Sequence, residues 1–310
     1  MEGVNNMVEV GSITTVESLS ELVRLLNELL FDKEKSFVFR GYTEQKQIFP
    51  SIIRNYDYSL HEKELNRLFE TYSGQFFQTS HPIEFLSNAQ HYGIPTRLLD
   101  FSFNPFIALS FAMNSEKKKE GSYTNPEDSQ YYYVRVGELN RGIWLTDTPK
   151  IEFGYRYGGI KTESISSITN EVIAQYEEEL TREEHNTDEA RAFIDDLASV
   201  YGRTKLDGVP FRKSIIGKVK ENEILFVTPN FSNQRIMMQQ SLFMFPYTLD
   251  KAKHKSIIES KTALIKIPEE LRQDCIRYLD LLGYNAFRLM PDLSSICAKI
   301  KESVRNELQV

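Results

Sequence analysis

The sequence predicts an α+β fold, a mixed small sheet with several surrounding helices and a helical insertion. Five short aromatic or β-branched runs, at 131–136, 142–145, 224–228, 242–245 and 263–267, are bounded by turn residues and read as strands. Helical patterns fall between and around them in irregular order, which argues against a doubly wound parallel sheet. No glycine-rich phosphate fingerprint of the Rossmann or P-loop kind is present, and no internal repeat or low-complexity tract.

After a polar leader, Leu19, Leu22, Leu25, Leu26, Leu29 and Leu30 recur at helical spacing and predict an amphipathic helix over 16–31. Residues 36–41 predict a short strand that ends in an Arg-Gly corner, followed by a polar loop over 42–47. A helix over 58–77 comes next. The following helix, 83–92, has Ser80 as a cap, Pro82 in its first turn, and Gly93 and Pro95 as its stop. Residues 91–100 are then its C-terminus and exit loop. Asn104 and Pro105 start a helix over 106–113 that is apolar nearly all round and belongs in the core. Residues 117–130 read as a polar surface loop. Between the second and third strands, 160–220 holds two acidic helical stretches, 170–184 and 188–201, expected to face solvent or a basic partner. Helices over 268–282 and 293–308 close the chain. The expected division is therefore an N-terminal helical segment (1–32), a core in two halves (33–159 and 221–310), and the acidic insertion (160–220).

Composition narrows the function classes. The chain has 310 residues, with 37 Lys+Arg against 44 Asp+Glu and a net charge of -7. That balance argues against a broad nucleic-acid surface, while leaving room for a local basic pocket. Cys275 and Cys297, the only two cysteines, lie in apolar helical patterns, so neither a disulfide framework nor a zinc cluster is expected. Residues 1–15 lack the basic-then-apolar order of a signal peptide, and no apolar run approaches the roughly 20 residues that span a bilayer. A cytoplasmic protein without a membrane segment is the expectation.

Four polar residues stand where a bland sequence would not put them. Arg40 follows three apolar residues at a strand end and precedes Gly41, which suits a guanidinium fork aimed at phosphate or carboxylate with the backbone free to approach the ligand. A buried salt bridge to Asp100 explains Arg40 equally well. His91, Arg97 and Asp100 fall within ten residues of one another. His91 suits a cationic helix C-terminus as well as an acid/base role, and Arg97 with Asp100 has the spacing of an ordinary ion pair. Arg235, Gln239 and Gln240 lead into a strand without a neighbouring acid, and amides there suit a nucleobase or carboxamide edge.

The Phe39-Arg40-Gly41 corner and the run Gln90-His91-Tyr92-Gly93-Ile94-Pro95-Thr96-Arg97-Leu98-Leu99-Asp100 resemble the two signatures of the FRG-domain family. The resemblance extends to an Arg-x-x-x-Gln-Gln-Gly-x-Phe pattern, matched by Arg235, Gln239, Gln240 and Phe243 with Ser241 in the glycine's place, and to Pro291-Asp292-Leu293. It implies a bacterial or phage protein of conflict or defence. The aromatic-Arg-Gly corner is also similar to the first motif of arginine-type ADP-ribosyltransferases, in which the arginine holds the pyrophosphate side of NAD. The Ser-Thr-Ser strand and catalytic Glu of those enzymes have no clear match here.

Two classes of function follow. The first is a nucleotide-directed enzyme, ADP-ribosyltransferase-like or NAD-cleaving, with His91 and Asp100 catalytic and with Arg40, Gly41, Arg97, Arg235, Gln239 and Gln240 binding the nucleotide. Its small-molecule partner is NAD, and no metal is expected. The second is a non-catalytic interaction or sensor module whose motif residues form a buried network and whose acidic insertion meets a protein partner.

Overall fold

The computed structural model describes residues 8–54, 58–74, 76, 82–115, 117–118, 121–139, 143–146, 163–164, 205–206, 209–210, 224–228, 234–246, 249–289, 297 and 300–301. The fold is α+β, as the irregular alternation predicts. Its strands are β1 (Ile13–Thr15), β2 (Phe37–Tyr42), β3 (Leu99–Ser102), β4 (Tyr131–Glu138), β5 (Ile143–Thr146), β6 (Glu163–Ser164), β7 (Lys205–Leu206), β8 (Val209–Pro210), β9 (Leu225–Thr228), β10 (Ser241–Phe245) and β11 (Thr262–Pro268). Nine of them form one sheet in the order β1-β11-β4-β2-β3-β10-β9-β5-β6, and β7 pairs with β8 separately. The sheet is mixed: β1 on β11, β5 on β9 and β6 on β5 are parallel, and the central pairs are antiparallel.

The helices are α1 (Leu19–Leu30), α2 (Ser51–Arg54), α3 (Glu62–Ser73), α4 (Pro82–His91), α5 (Pro105–Asn114), α6 (Gln234–Met238), α7 (Lys251–Lys261), α8 (Arg272–Leu281) and α9 (Ala286–Leu289). On one face of the sheet, the buried stripe Leu22, Leu25, Leu26 and Leu29 of α1 packs with α5 and with Cys275 and Leu279 of α8 over Phe37, Phe39, Val134, Val136, Ile265 and Ile267. Strand alternation sends Val38, Tyr42, Leu99, Phe101, Tyr133, Leu242 and Met244 to the opposite face, where Ile258 of α7 and Ile48 cover them. Helix α5 runs through the first core because it carries no polar stripe: apart from its cap, its polar residues are Ser110 and Asn114, which bond to each other. Asn104 Oδ1 accepts from the backbone amides of Phe106 (2.9 Å) and Ile107 (3.4 Å).

Several expectations need amendment. The leader is not a separate segment, since β1 adds to the sheet edge beside β11. Residues 99–102 are a strand rather than an exit loop, and α7 was not expected because only His254 and Ile258 of its charged sequence are buried. The loop before β4 is packed: Asp128 is buried and accepts from Tyr133 Oη at 2.9 Å and from the Gln45 amide at 3.1 Å. Cys275 is buried as expected, whereas Cys297 is exposed. The acidic stretches 170–184 and 188–201 lie outside the described residues, as does 293–308 apart from Cys297, Ile300 and Lys301. Within 160–220, β6 belongs to the main sheet.

Candidate functional site

The sheet is divided near its middle. Strand β2 follows β4 through six residue pairs, and β3 follows β10 through four, yet β2 and β3 meet at a single pair, Phe39 with Ser102. Beyond it, Arg40, Gly41 and Tyr42 diverge from Phe101, Asp100 and Leu99. A divergence of this kind leaves backbone groups without ladder partners, and they must be satisfied in another way.

Arg40 supplies that satisfaction. Its Nη1 donates to the Asp100 carbonyl at 2.6 Å, while Nε and Nη2 donate to the Gln47 carbonyl at 3.3 and 3.1 Å. The Asp100 carboxylate is farther, at 3.8 Å. The guanidinium therefore works mainly as a strut between two main-chain oxygens across the gap. Burial lowers its pKa to about 10, against the raising influence of Asp100, so it stays charged at neutral pH. Gln47 is itself fixed, because its side-chain oxygen accepts from the amides of Thr43 (2.9 Å) and Glu44 (3.2 Å). The adjacent Ile48 carbonyl takes Nε2–H of buried His254 at 2.8 Å.

The gap opens into a cleft with two compartments. The larger, about 210 Å³, lies along Arg40, Tyr42, Gln47 and Phe111. A smaller one of about 40 Å³ is lined by Ser87, Gln90, His91, Ile236 and Phe243. Asp100, Arg235, Gln239 and Ser241 line both. Asp100 presents a side chain that is 58% exposed. One of its oxygens, Oδ1, accepts from Gln90 Nε2 at 2.8 Å, and Gln90 in turn accepts from Thr96 Oγ1 at 2.5 Å. Arg235 reaches from α6 to His91, the last residue of α4, with Nη1 3.3 Å from Nδ1. An arginine can only donate, so His91 Nδ1 is the acceptor in this contact. Among the described residues no carboxylate lies within ion-pair distance of Arg235, which makes it a cation without an acid in a concave site.

The structure thus brings Arg40, His91, Asp100, Arg235 and Gln239 to one cleft. Three expected ligand residues have other roles. Arg97 is not in the cleft: its side chain is 3% exposed and forms a two-pronged pair with Glu62, at 2.6 Å from Nε to Oε1 and also between Nη2 and Oε2, above the Phe245 ring. Gly41 lines the larger compartment, but the reason for glycine there is packing. A Cβ would fall 1.7 Å from the Ala108 carbonyl oxygen of α5. Gln240 occupies the turn into β10 with φ +46, and its carbonyl accepts from the Phe103 amide at 3.1 Å. Gln239 is half committed, since its side-chain Nε2 donates to the Leu289 carbonyl at 2.9 Å, while its main-chain carbonyl accepts from Ser102 Oγ at 2.8 Å.

Sequence reasoning missed Ser87, Gln47 and Arg54. Serines and glutamines in helical or loop sequence carry no signal of their own. Arg54 ends α2, where burial lowers its pKa against the fields of Asp100 and Glu44, and its Nε is buried without a hydrogen-bond partner. Ser241 was visible as a departure from the family's glycine, and its position on β10 puts a hydroxyl in the cleft where a glycine would have none.

Among the described residues, no group of three or more His, Cys, Asp or Glu is placed to hold a metal ion, and no helix is long and apolar enough to cross a membrane. No curated protein and no solved structure matches the chain. The family model described as FRG domain matches residues 35–121, a span that holds Arg40, His91, Arg97 and Asp100 but ends before Arg235. The split of the sheet, its arginine strut and the Asp100 side of the cleft therefore lie within the span that is similar to the FRG domain.

Proposed function

We propose that the cleft between β2 and β3 binds a phosphate-bearing nucleotide, NAD first among the candidates, and that the protein cleaves it or transfers its ADP-ribose group. One observation carries the reading: two arginines, Arg40 and Arg235, face a cleft that holds a single carboxylate, Asp100, among its described lining residues. Uncompensated positive charge in a concave, partly desolvated site is favourable when an anionic ligand completes it. Asp100, oriented by the Gln90 amide, suits ribose hydroxyls or the positive charge that develops at the ribose C1′ as nicotinamide leaves with the bonding pair. Water or an acceptor nucleophile then adds to C1′ and gives up a proton, which His91 takes at Nδ1 once Arg235 turns from that nitrogen to the phosphates. Action in bacterial or phage conflict is the setting that the FRG resemblance implies.

The competing reading is an interaction module held together by a buried polar network. Arg97, Gln239 and the strut role of Arg40 favour it, whereas Arg235 and the exposed Asp100 do not. The experiment that separates them compares Arg235→Ala with Arg40→Ala. Calorimetric titration with NAD and ADP-ribose, beside a melting curve of each protein, should show wild-type binding and a loss of roughly 10–100-fold in Arg235→Ala at an unchanged melting temperature. Arg40→Ala should melt several degrees lower whether or not a ligand exists, because two main-chain carbonyls lose their donor. Absence of heat from wild type with NAD, ADP-ribose and ATP alike would retire the nucleotide reading in favour of the module.

A further inference from the structure

We infer that Arg54 is a third anion-binding arginine of the cleft and that it takes the diphosphate of the ligand beside Arg40. This rests on the nucleotide reading of the cleft and adds to it which part of the nucleotide is gripped and by which residue. Arg54 ends α2, a helix pinned to the segment that leads into β3. Ile52 and Ile53 are fully buried, the Ile52 amide donates to the Thr96 carbonyl at 3.1 Å, and Ser51 Oγ accepts from the Thr96 amide at 2.9 Å. Thr96 Oγ1 in turn bonds Gln90, whose Nε2 holds Asp100 Oδ1. Arg54 is not in the wall of either compartment; this chain of bonds fixes its helix beside Asp100, the carboxylate that lines both. The three charges feel one another. Burial lowers the pKa of Arg40 and of Arg54, Asp100 raises both, and Arg54 further lowers that of Arg40.

Donors and charge select the guest. Arg54 is half-buried, and its Nε is wholly buried with no hydrogen-bond partner among the described residues. Arg40 gives three of its N–H groups to the main-chain carbonyls of Gln47 and Asp100, whereas Arg54 gives none to any described residue. A buried donor that the fold leaves unbonded is costly, and a ligand that supplies its acceptor removes the cost. The nearby acids do not supply it. Glu44 is taken by Lys118 at 2.7 Å and Lys46 at 3.5 Å, and Asp100 is held by Gln90 on Oδ1 and faces Arg40 Nη1 at 3.8 Å on Oδ2. Three guanidiniums, of Arg40, Arg54 and Arg235, thus stand around one carboxylate and leave two positive charges uncompensated. A diphosphate diester carries two negative charges and completes the balance. A single phosphodiester would leave one cation over, and a neutral base or carboxamide would leave two. Asp100 is then left for ribose hydroxyls, which can donate to it.

The test uses Arg54→Met, which keeps the apolar stem and removes the charge, and Arg54→Lys, which keeps the charge and loses the fork, each in the full chain. Inorganic pyrophosphate, ADP-ribose and adenosine are the probes. Calorimetry should show pyrophosphate and ADP-ribose bound about tenfold or more weakly by Arg54→Met, with Arg54→Lys between it and wild type. Adenosine affinity should not change. The melting temperature of Arg54→Met should equal or exceed that of wild type, because the substitution removes a buried donor that the fold does not bond. A fall of several degrees would show that the guanidinium serves the fold and would overturn the inference. So would ADP-ribose binding with equal affinity to wild type and Arg54→Met, an outcome that leaves the nucleotide reading standing. If pyrophosphate binds wild type and is lost in Arg54→Met while neither NAD nor ADP-ribose binds, the diphosphate site stands and the choice of nucleotide is wrong. If neither pyrophosphate nor any nucleotide binds wild type, both readings fall.

Discussion

Gly41→Ala is expected to abolish the native fold. The β carbon would lie 1.7 Å from the Ala108 carbonyl oxygen, 2.6 Å from its carbonyl carbon and 2.9 Å from the Ala112 amide nitrogen. All three atoms are backbone, so no side-chain rotation relieves the clash. Relief requires α5 to lift from β2, and α5 is the buried centre of the larger hydrophobic cluster, with Phe106, Ala108, Leu109, Ala112 and Met113 all in contact with other elements. Overpacking a core usually costs about 1–3 kcal/mol, and displacing a central helix belongs to the rarer class above about 4–5 kcal/mol. Against a total stability of about 5–15 kcal/mol, the outcome is insoluble or non-cooperatively melting protein. Circular dichroism and a melting curve check this. A Gly41→Ala protein that melts like wild type would show that α5 can lift from β2 without loss of the core.

The second large effect is expected at the pair of Arg97 and Glu62. Both side chains are almost wholly buried, at 3% and 6% exposure. The carboxylate opens α3, where the helix dipole favours a negative charge, and the guanidinium lies 5.2 Å from the Phe245 ring centroid. Removing one partner strands the other in a dry environment, at a cost of about 3–5 kcal/mol. Arg97→Ala and Glu62→Ala should each lower the denaturation midpoint strongly. Arg97→Lys should recover only part of the loss, since an ammonium cannot make two parallel bonds and stack on a ring. The double variant Arg97→Met with Glu62→Leu should be more stable than either single alanine, because it leaves no stranded charge. Nucleotide binding by that double variant is the functional control. With Arg97 outside the cleft, affinity should hold; its loss at intact fold would return Arg97 to the binding machinery.

The sequence by itself determined the fold class, the six strands β2, β4, β5, β9, β10 and β11, the leucine-striped helix α1 and the mostly apolar helix α5 with its Asn104 cap. These are legible because each depends on a local period or on a cap next to it in the chain. It also singled out Arg40, His91, Asp100 and Arg235 as polar groups that need a special environment. Short segments escaped: β1 is three residues and β3 is four, and their strand identity comes from pairing with β11 and β10 rather than from their own pattern.

Only the tertiary structure decided what the singled-out residues do. Arg40 and Arg97 look alike in the sequence, each a cation among apolar neighbours. One bridges a split sheet through the main-chain carbonyls of Gln47 and Asp100, and the other is neutralised by Glu62, a residue 35 positions away. The meaning of Gly41 likewise depends on how closely α5 approaches β2, a distance set by the whole core and written in no local motif.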